Sequence, residues 1–262
     1  VRDGYRMNSK KENLSAEKFY QQLSVNYDVM TRFHQRQKTE REVLQTWLKK
    51  YPFKSALDAA CGTGLHALLL SQLGVRVVGT DISPDMLSQA RINSKAAGVN
   101  IKWIEAPLEK LSHHIHQTFG AVLCLGNSIP HLLSKAKLNS ALKNFYLLLD
   151  PGGWVILQLI NYRKVLMEQQ RIIGIHRDGD QEFIRFYDLS GKKINFNILT
   201  IKWQGNQAFP HLQSTPLYPY TRSEIQTVLL KTGLKPIAIY GDMQFGKFQE
   251  KQSANLVIVA RK

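Results

Sequence analysis

Leu57 to Gly64 read L-D-A-A-C-G-T-G, and the apolar run that follows closes on Thr80-Asp81. No other part of the chain restricts the fold so strongly. An apolar strand that ends in a carboxylate and turns on glycines into a helix gathers backbone N–H groups at one point. An acid closing the next strand is then placed to hold ribose hydroxyls, as in doubly wound α/β folds. Gly62-Thr63-Gly64-Leu65-His66-Ala67 also satisfies the dinucleotide pattern G-x-G-x-x-A, with Asp81 near its usual spacing of about 20 residues. Two kinds of cofactor therefore compete for this turn.

Charge separates them. A dinucleotide puts its pyrophosphate on the turn and the helix N-terminus. Asp58 sits just before that turn, and a carboxylate about 4 Å from a phosphate costs roughly 4 kcal/mol per unit charge at an effective dielectric near 20. S-adenosyl-L-methionine has no phosphate there; its ammonium and sulfonium groups favour a nearby carboxylate. The motif, aliphatic-D-x-[AG]-x-G-x-G with an acid ending the second strand, resembles that of the class I S-adenosylmethionine-dependent methyltransferases. That resemblance implies a Rossmann-like, doubly wound, seven-stranded α/β sheet whose last strand is antiparallel.

The periodicity agrees. Leu14 to Lys50 has helical spacing and is read as two helices, 15–23 and 35–49, joined through Tyr27-Asp28-Val29-Met30. Strands are expected at 55–60, 75–80, 101–105, 121–125 and 154–160. Between them lie helices at 65–72, 84–97 and 135–149, the second capped by Ser83 with Pro84 in its first position. Asp150-Pro151-Gly152-Gly153 reads as a turn before the fifth strand. It also resembles the x-P-G-G turn of the same methyltransferases. Such alternation implies a parallel sheet with helices on both faces.

After Asn161 the rhythm changes. Residues 182–189 and 193–203 are β-like around a hairpin turn at Ser190-Gly191, with Phe183, Arg185 and Tyr187 on one face. The core pattern returns with a helix at 222–232 and strands at 235–240 and 255–260. The chain is thus one folded unit: an N-terminal helical lid (1–50), a cofactor-binding core (51–162), an antiparallel insertion after the fifth strand (163–220) and a core completion (221–262).

Composition narrows the class. No apolar run approaches the roughly 18 to 20 residues that cross a bilayer, and residues 1–12 lack a signal-peptide core. The 2 cysteines, Cys61 and Cys124, are unpaired in spacing, which suits a reducing cytoplasm and leaves no Cys-based zinc site. The net charge of +15 permits a nucleic-acid partner. Its lysines and arginines are dispersed, however, and the dense spots (Lys10-Lys11, Lys49-Lys50, Lys192-Lys193) are short. His113, His114 and His116 sit between the third and fourth strands and read as a solvated loop rather than a metal site.

Several residues are candidates for the cofactor. Gly62 and Gly64 let the backbone approach the methionyl part, beside Ala60. Asp58 is a partner for its amino group, directly or through water. Asp81, followed by Ile82, would hold the ribose or else cap the next helix. Met86 would cover the adenine or simply fill the core. Ala106-Pro107-Leu108 follows the third strand where an adenine-edge contact is expected, and Leu125 ends the fourth.

Cys124 to Leu132 read C-L-G-N-S-I-P-H-L. With Asn161-Tyr162 and Tyr218-Pro219, this stretch is similar to the glycine N-methyltransferase and glycine/sarcosine methyltransferase group. The resemblance implies a small-molecule amine acceptor, with Asn127 touching it and His131 and Tyr218 nearby; the alternative for Asn127 is a turn residue. There is one departure. That group has an Arg before its N-Y step to hold the substrate carboxylate, and this chain has Ile160. Arg163, Arg177 and Arg185 are candidates to compensate.

Two rivals remain. An RNA methyltransferase fits the charge, but Asn127-Ser128-Ile129-Pro130 lacks the paired prolines and aromatic of base-methylating sites. A non-catalytic cofactor-binding scaffold would not need polar groups beside the cofactor turn. The reading is therefore S-adenosylmethionine-dependent methyl transfer to a small amine, with no metal and no membrane. The sequence assigns no oligomeric state.

Overall fold

The computed structural model describes residues 12–190 and 193–262. Lys10-Lys11, Gly191 of the expected hairpin turn, Lys192 and nearly all of residues 1–12 lie outside that range. Two helices come first, α1 (Ala16–Thr31) and α2 (Phe33–Lys50), after a two-residue strand, β1 (Glu12–Asn13). The Rossmann-like part follows: β2 (Ser55–Ala59), α3 (Leu65–Gln72), β3 (Arg76–Asp81), α4 (Pro84–Ala96), β4 (Lys102–Glu105), α5 (Leu111–His114), β5 (Phe119–Cys124), α6 (Lys135–Leu147) and β6 (Leu149–Ile160). A short α7 (Tyr162–Met167) leads to four strands, β7 (Ile172–Asp178), β8 (Gln181–Ser190), β9 (Lys193–Gln204) and β10 (Gln207–Leu217). The chain closes with α8 (Arg222–Lys231), β11 (Lys235–Tyr240) and β12 (Asn255–Arg261).

The large sheet has seven strands in the order β11-β12-β6-β5-β2-β3-β4. Strands β4, β3, β2, β5 and β6 are parallel, and β12 runs antiparallel to both β6 and β11. Chain order reverses between β2 and β5, so the ligand crevice of such a sheet falls at their carboxyl ends. Apolar residues cover both faces, as a parallel sheet requires. Leu57, Val122 and Val155 pack with α6 and α8 on one side, and Ala56, Ala121 and Ile156 with α2 and α3 on the other. The second sheet runs β1-β10-β9-β8-β7, antiparallel except for β1 beside β10.

Local chemistry sets the helix starts. Ser83 caps α4 by accepting from Met86 N, with Pro84 at the first position, and Thr221 and Glu224 form a capping box on α8. Three expectations are corrected. The joint expected at Tyr27 to Met30 is helical, because Met30 continues the buried face of Phe19 and Leu23; the chain breaks instead at Arg32, in the left-handed region at φ 56°. The Asp150 to Gly153 turn lies within the span of β6, next to a register shift between Phe119 and Ala121. His113 and His114 close a single helical turn, though both are exposed.

Strands β7 and β10 carried no readable signal. In β10, Pro210 and Pro216 interrupt a pattern that otherwise would read as strand. Among the described residues, β1 pairs with β10 only at Gln213 and Ser214, so no described strand calls on the missing N–H of Pro210 on that edge.

Candidate active site

Helix α3 starts on Gly64, at φ 87°, which has no side chain with which to cap it. Asp58 does this from the end of β2: its Oδ2 accepts the Ala67 backbone N–H at 3.0 Å. The carboxylate is buried. Burial pushes Asp58 up to about 6, although His66 and the Ala67 N–H act in the opposite sense. Gly64 must also stay bare because a Cβ there would stand 2.6 Å from the Trp103 ring.

Asp81 ties two loops together. Its Oδ2 accepts from Gly62 N at 2.8 Å and its Oδ1 from Ser83 N at 3.0 Å. Burial raises its carboxyl above the usual range, while the backbone N–H groups of Ser83, Gly62 and Ile82 pull it down. Each oxygen keeps a second lone pair for another donor. The loop between is strained: Ala60, a non-glycine residue, lies at φ 59°, a conformation that costs of order 1–3 kcal/mol and that clusters at ligand clamps.

A cavity of about 390 Å³ opens at these loops. Ala60, Gly62, Asp81, Ile82 and Met86 line one wall, and Ala106, Pro107, Leu108 and Leu125 continue it. This wall could hold S-adenosylmethionine: a bare backbone turn at Gly62, a buried acid with free lone pairs, and an apolar slot at Ile82 and Met86. Asp58 and Gly64 stand behind the wall. Among the described residues, no three His, Cys, Asp or Glu side chains gather as a metal site, and no helix is long and apolar enough to cross a membrane.

The three acceptor-side candidates separate. His131 lines the cavity. Asn127 does not: its Oδ1 accepts from Ile160 N at 3.0 Å and its Nδ2 donates to Tyr162 Oη at 2.8 Å. Held at φ 71°, it joins the loop after β5 to the end of β6. Tyr218 also lies off the cavity, donating to Glu224 Oε1 at 3.2 Å and stacked on Tyr220 with ring centroids 4.4 Å apart.

Other residues line the cavity around His131. Tyr20, Tyr27 and Arg36 reach the cavity from α1 and α2, and Thr215 and Pro216 reach it from β10. Tyr20 Oη lies 3.0 Å from His131 Nε2. Burial lowers His131 to about 4, so the ring is neutral at physiological pH, and burial raises the Tyr20 phenol. Arg36 is ion-paired with Glu40 at 2.8 Å. The signal for the tyrosines was present in the sequence: polar-tipped aromatics at i and i+7 beside the apolar stripe of Phe19 and Leu23.

Comparison with known proteins agrees with this architecture. Residues 56–153 match the Methyltransferase domain family. A glycine/sarcosine N-methyltransferase from Parasynechococcus marenigrum is 32% identical over 232 residues, covering 87% of this chain and 79% of the relative. Among solved structures, an S-adenosylmethionine-dependent methyltransferase from Clostridium acetobutylicum superposes with a TM-score of 0.78 at 17% identity, over 92% of this chain and 98% of the other. A SAM-bound amino pentose methyltransferase from Micromonospora echinaspora gives 0.70 at 16% identity, over 97% and 100%. The fold is that of the class I methyltransferases. The chain belongs to these S-adenosylmethionine-dependent enzymes, within the glycine/sarcosine N-methyltransferase type.

Proposed function

We propose that the enzyme methylates the nitrogen of a small amine, bound between the cofactor wall and the roof made by α1 and β10. The observation that carries this reading is the Tyr20–His131 pair, two neutral half-buried groups 3.0 Å apart on the cavity wall. When bound, S-adenosylmethionine supplies a methyl group already activated on sulfur. The protein's task is then orientation. With His131 accepting from the Tyr20 hydroxyl, the phenol oxygen keeps lone pairs that can accept an amine N–H and turn the nitrogen lone pair inward. A neutral amine needs no base before attack; the methylated product carries the extra proton as an ammonium and gives it up to solvent. The glycine/sarcosine relatives support nitrogen as the acceptor atom. A roof of α1 and β10, together with the dispersed basic residues, favours a small molecule over a polynucleotide.

For the cofactor, Asp81 serves the ribose, Ile82, Met86 and Ala106 to Leu108 the adenine, and Arg36 the methionyl carboxylate. Asp58 faces the ammonium through water. Because burial holds Asp58 up to about 6, a bound cation favours its ionised form. S-adenosylmethionine affinity is expected to rise as pH increases towards 6 and to level off above about 7. Calorimetry across this range checks it, and a flat profile removes Asp58 from cofactor binding.

The acceptor assignment is tested with isotopically labelled methyl donor on a panel of small amines and on total RNA. Label is expected in an amine. Tyr20→Phe is expected to lower kcat about 10–100-fold while cofactor affinity stays within about two-fold, the pattern of a contact made in the transition state. Label in RNA alone, or unchanged turnover in Tyr20→Phe, overturns the reading.

A further inference from the structure

We infer that Asn93 is a positioning residue that latches helix α1 onto the cofactor turn and so sets how slowly the cofactor leaves. This rests on placing the cofactor against the wall from Gly62 to Asp81. Asn93 is buried on α4, and its side-chain amide is fully engaged. The Nδ2 group donates to Thr63 O at 3.0 Å and to Asp28 Oδ2 at 2.9 Å, while Oδ1 accepts from Gln89 Nε2 at 3.0 Å. An amide nitrogen has two hydrogens to give, and here one goes to each segment. Thr63 stands between the two glycines of the cofactor turn, and Asp28 stands on α1.

Both ends of this bridge bear on the cavity. On the turn side, Ala60 at φ 59°, Gly62 at 56° and Gly64 at 87° hold left-handed backbone, a path that persists only where its surroundings fix it. Asp81 fixes it from β3 through Gly62 N at 2.8 Å, and Asn93 fixes the adjoining Thr63 carbonyl from α4. On the helix side, Tyr20 and Tyr27 of α1 line the cavity, and a Cβ on Gly62 would stand 3.7 Å from the Tyr27 ring. Helix α1 thus covers the cofactor wall. Among the described residues, side-chain hydrogen bonds tie it to the seven-stranded part at two places, Tyr20 to His131 and Asp28 to Asn93. The second has a carboxylate acceptor, and charge-assisted bonds are the stronger kind. The other oxygen of Asp28, Oδ1, is buried without a partner. Without Asn93, laying α1 down would bury a carboxylate that receives no hydrogen bond, whereas a lifted α1 leaves it hydrated. Loss of the amide therefore favours the lifted helix, from beneath which the cofactor escapes sooner.

The test follows isotopically labelled demethylated cofactor as it dissociates into an excess of unlabelled cofactor, together with hydrogen exchange of the α1 amides in the saturated enzyme. Asn93→Asp removes both donors and sets two carboxylates side by side. It is expected to speed dissociation at least ten-fold and to speed exchange across residues 16–31. Asp28→Asn combined with Asn93→Asp swaps the amide and the acid, which restores a donor and an acceptor between α1 and α4 but not the Thr63 contact. Dissociation from this double variant is expected to return to within about three-fold of the wild type. Asp28→Ala breaks the helix contact alone and serves if Asn93→Asp does not fold; several-fold faster dissociation is expected. Unchanged dissociation in Asn93→Asp and Asp28→Ala removes the latch. Faster dissociation that the double variant does not recover, with α1 exchange unchanged, makes Asn93 a support of the turn only. Either result overturns the inference. Unchanged dissociation in these variants, beside weakened binding in Asp81→Ala, ends the latch while leaving the cofactor wall in place.

Discussion

Asp81→Ala is expected to weaken S-adenosylmethionine binding about 100-fold. The carboxylate accepts from Gly62 N at 2.8 Å and from Ser83 N at 3.0 Å, and its remaining lone pairs suit two ribose hydroxyls. Hydrogen bonds to a charged group contribute about 1.5–3 kcal/mol each. Losing the ribose contacts alone therefore costs about 3 kcal/mol, and every 1.4 kcal/mol is tenfold in affinity. The Gly62 amide is released as well, which loosens a loop that holds Ala60 in the left-handed region. Asp81→Asn separates these effects: it keeps one acceptor and the side-chain shape, so a smaller loss is expected. Calorimetric titration of both variants decides it. If Asp81→Ala binds as the wild type does, the residue is only a cap for α4, where it already accepts from Ser83.

The second large effect concerns His131 and pH. Burial holds the ring at about 4, below its ordinary value near 6.5. A histidine buried neutral gives stability that is fully present above the unfolded value and is lost as pH falls through the folded one. At 1.36 kcal/mol per pKa unit, up to about 3 kcal/mol is lost between pH 6.5 and 4. His131→Phe removes this titration, so the stability difference between wild type and variant is expected to shrink by about that amount over the same window. Urea denaturation at fixed pH values measures it. A difference that stays constant from pH 7 to 4 means the imidazole is exchanging protons freely with solvent. That result would also remove the neutral acceptor on which the Tyr20 hydroxyl relies.

What was legible in the sequence is what depends on neighbours along the chain. The turn from Asp58 to Gly64, the acid at Asp81, the Ser83-Pro84 start of α4 and the apolar runs of β2, β3, β5 and β6 are all set by local sterics, capping and burial period. Of the residues those rules pick out, Gly62, Asp81 and Met86 line one cavity, while Asp58 and Gly64 do not. The acceptor side follows no such rule. Asn127 was proposed as a substrate contact from the family resemblance of its motif; its amide is engaged by Ile160 N and Tyr162 Oη, partners that only the assembled sheet brings near. Tyr218 likewise turns to Glu224.

The residues that line the cavity beneath α1 come from far apart: Tyr20 on α1, His131 after β5 and Thr215 on β10. The spacing of Tyr20 and Tyr27 beside the apolar stripe of α1 was visible locally, but the contact of Tyr20 with a histidine more than a hundred residues away was not. Strand β10, interrupted by two prolines, becomes a strand only because β9 pairs along its whole length. The sequence by itself determined the sheet and the glycine turn between Asp58 and Asp81, since short-range geometry and burial specify both. The tertiary structure alone decided which polar groups meet beneath α1, since long-range packing chooses the partners of a half-buried hydroxyl or imidazole.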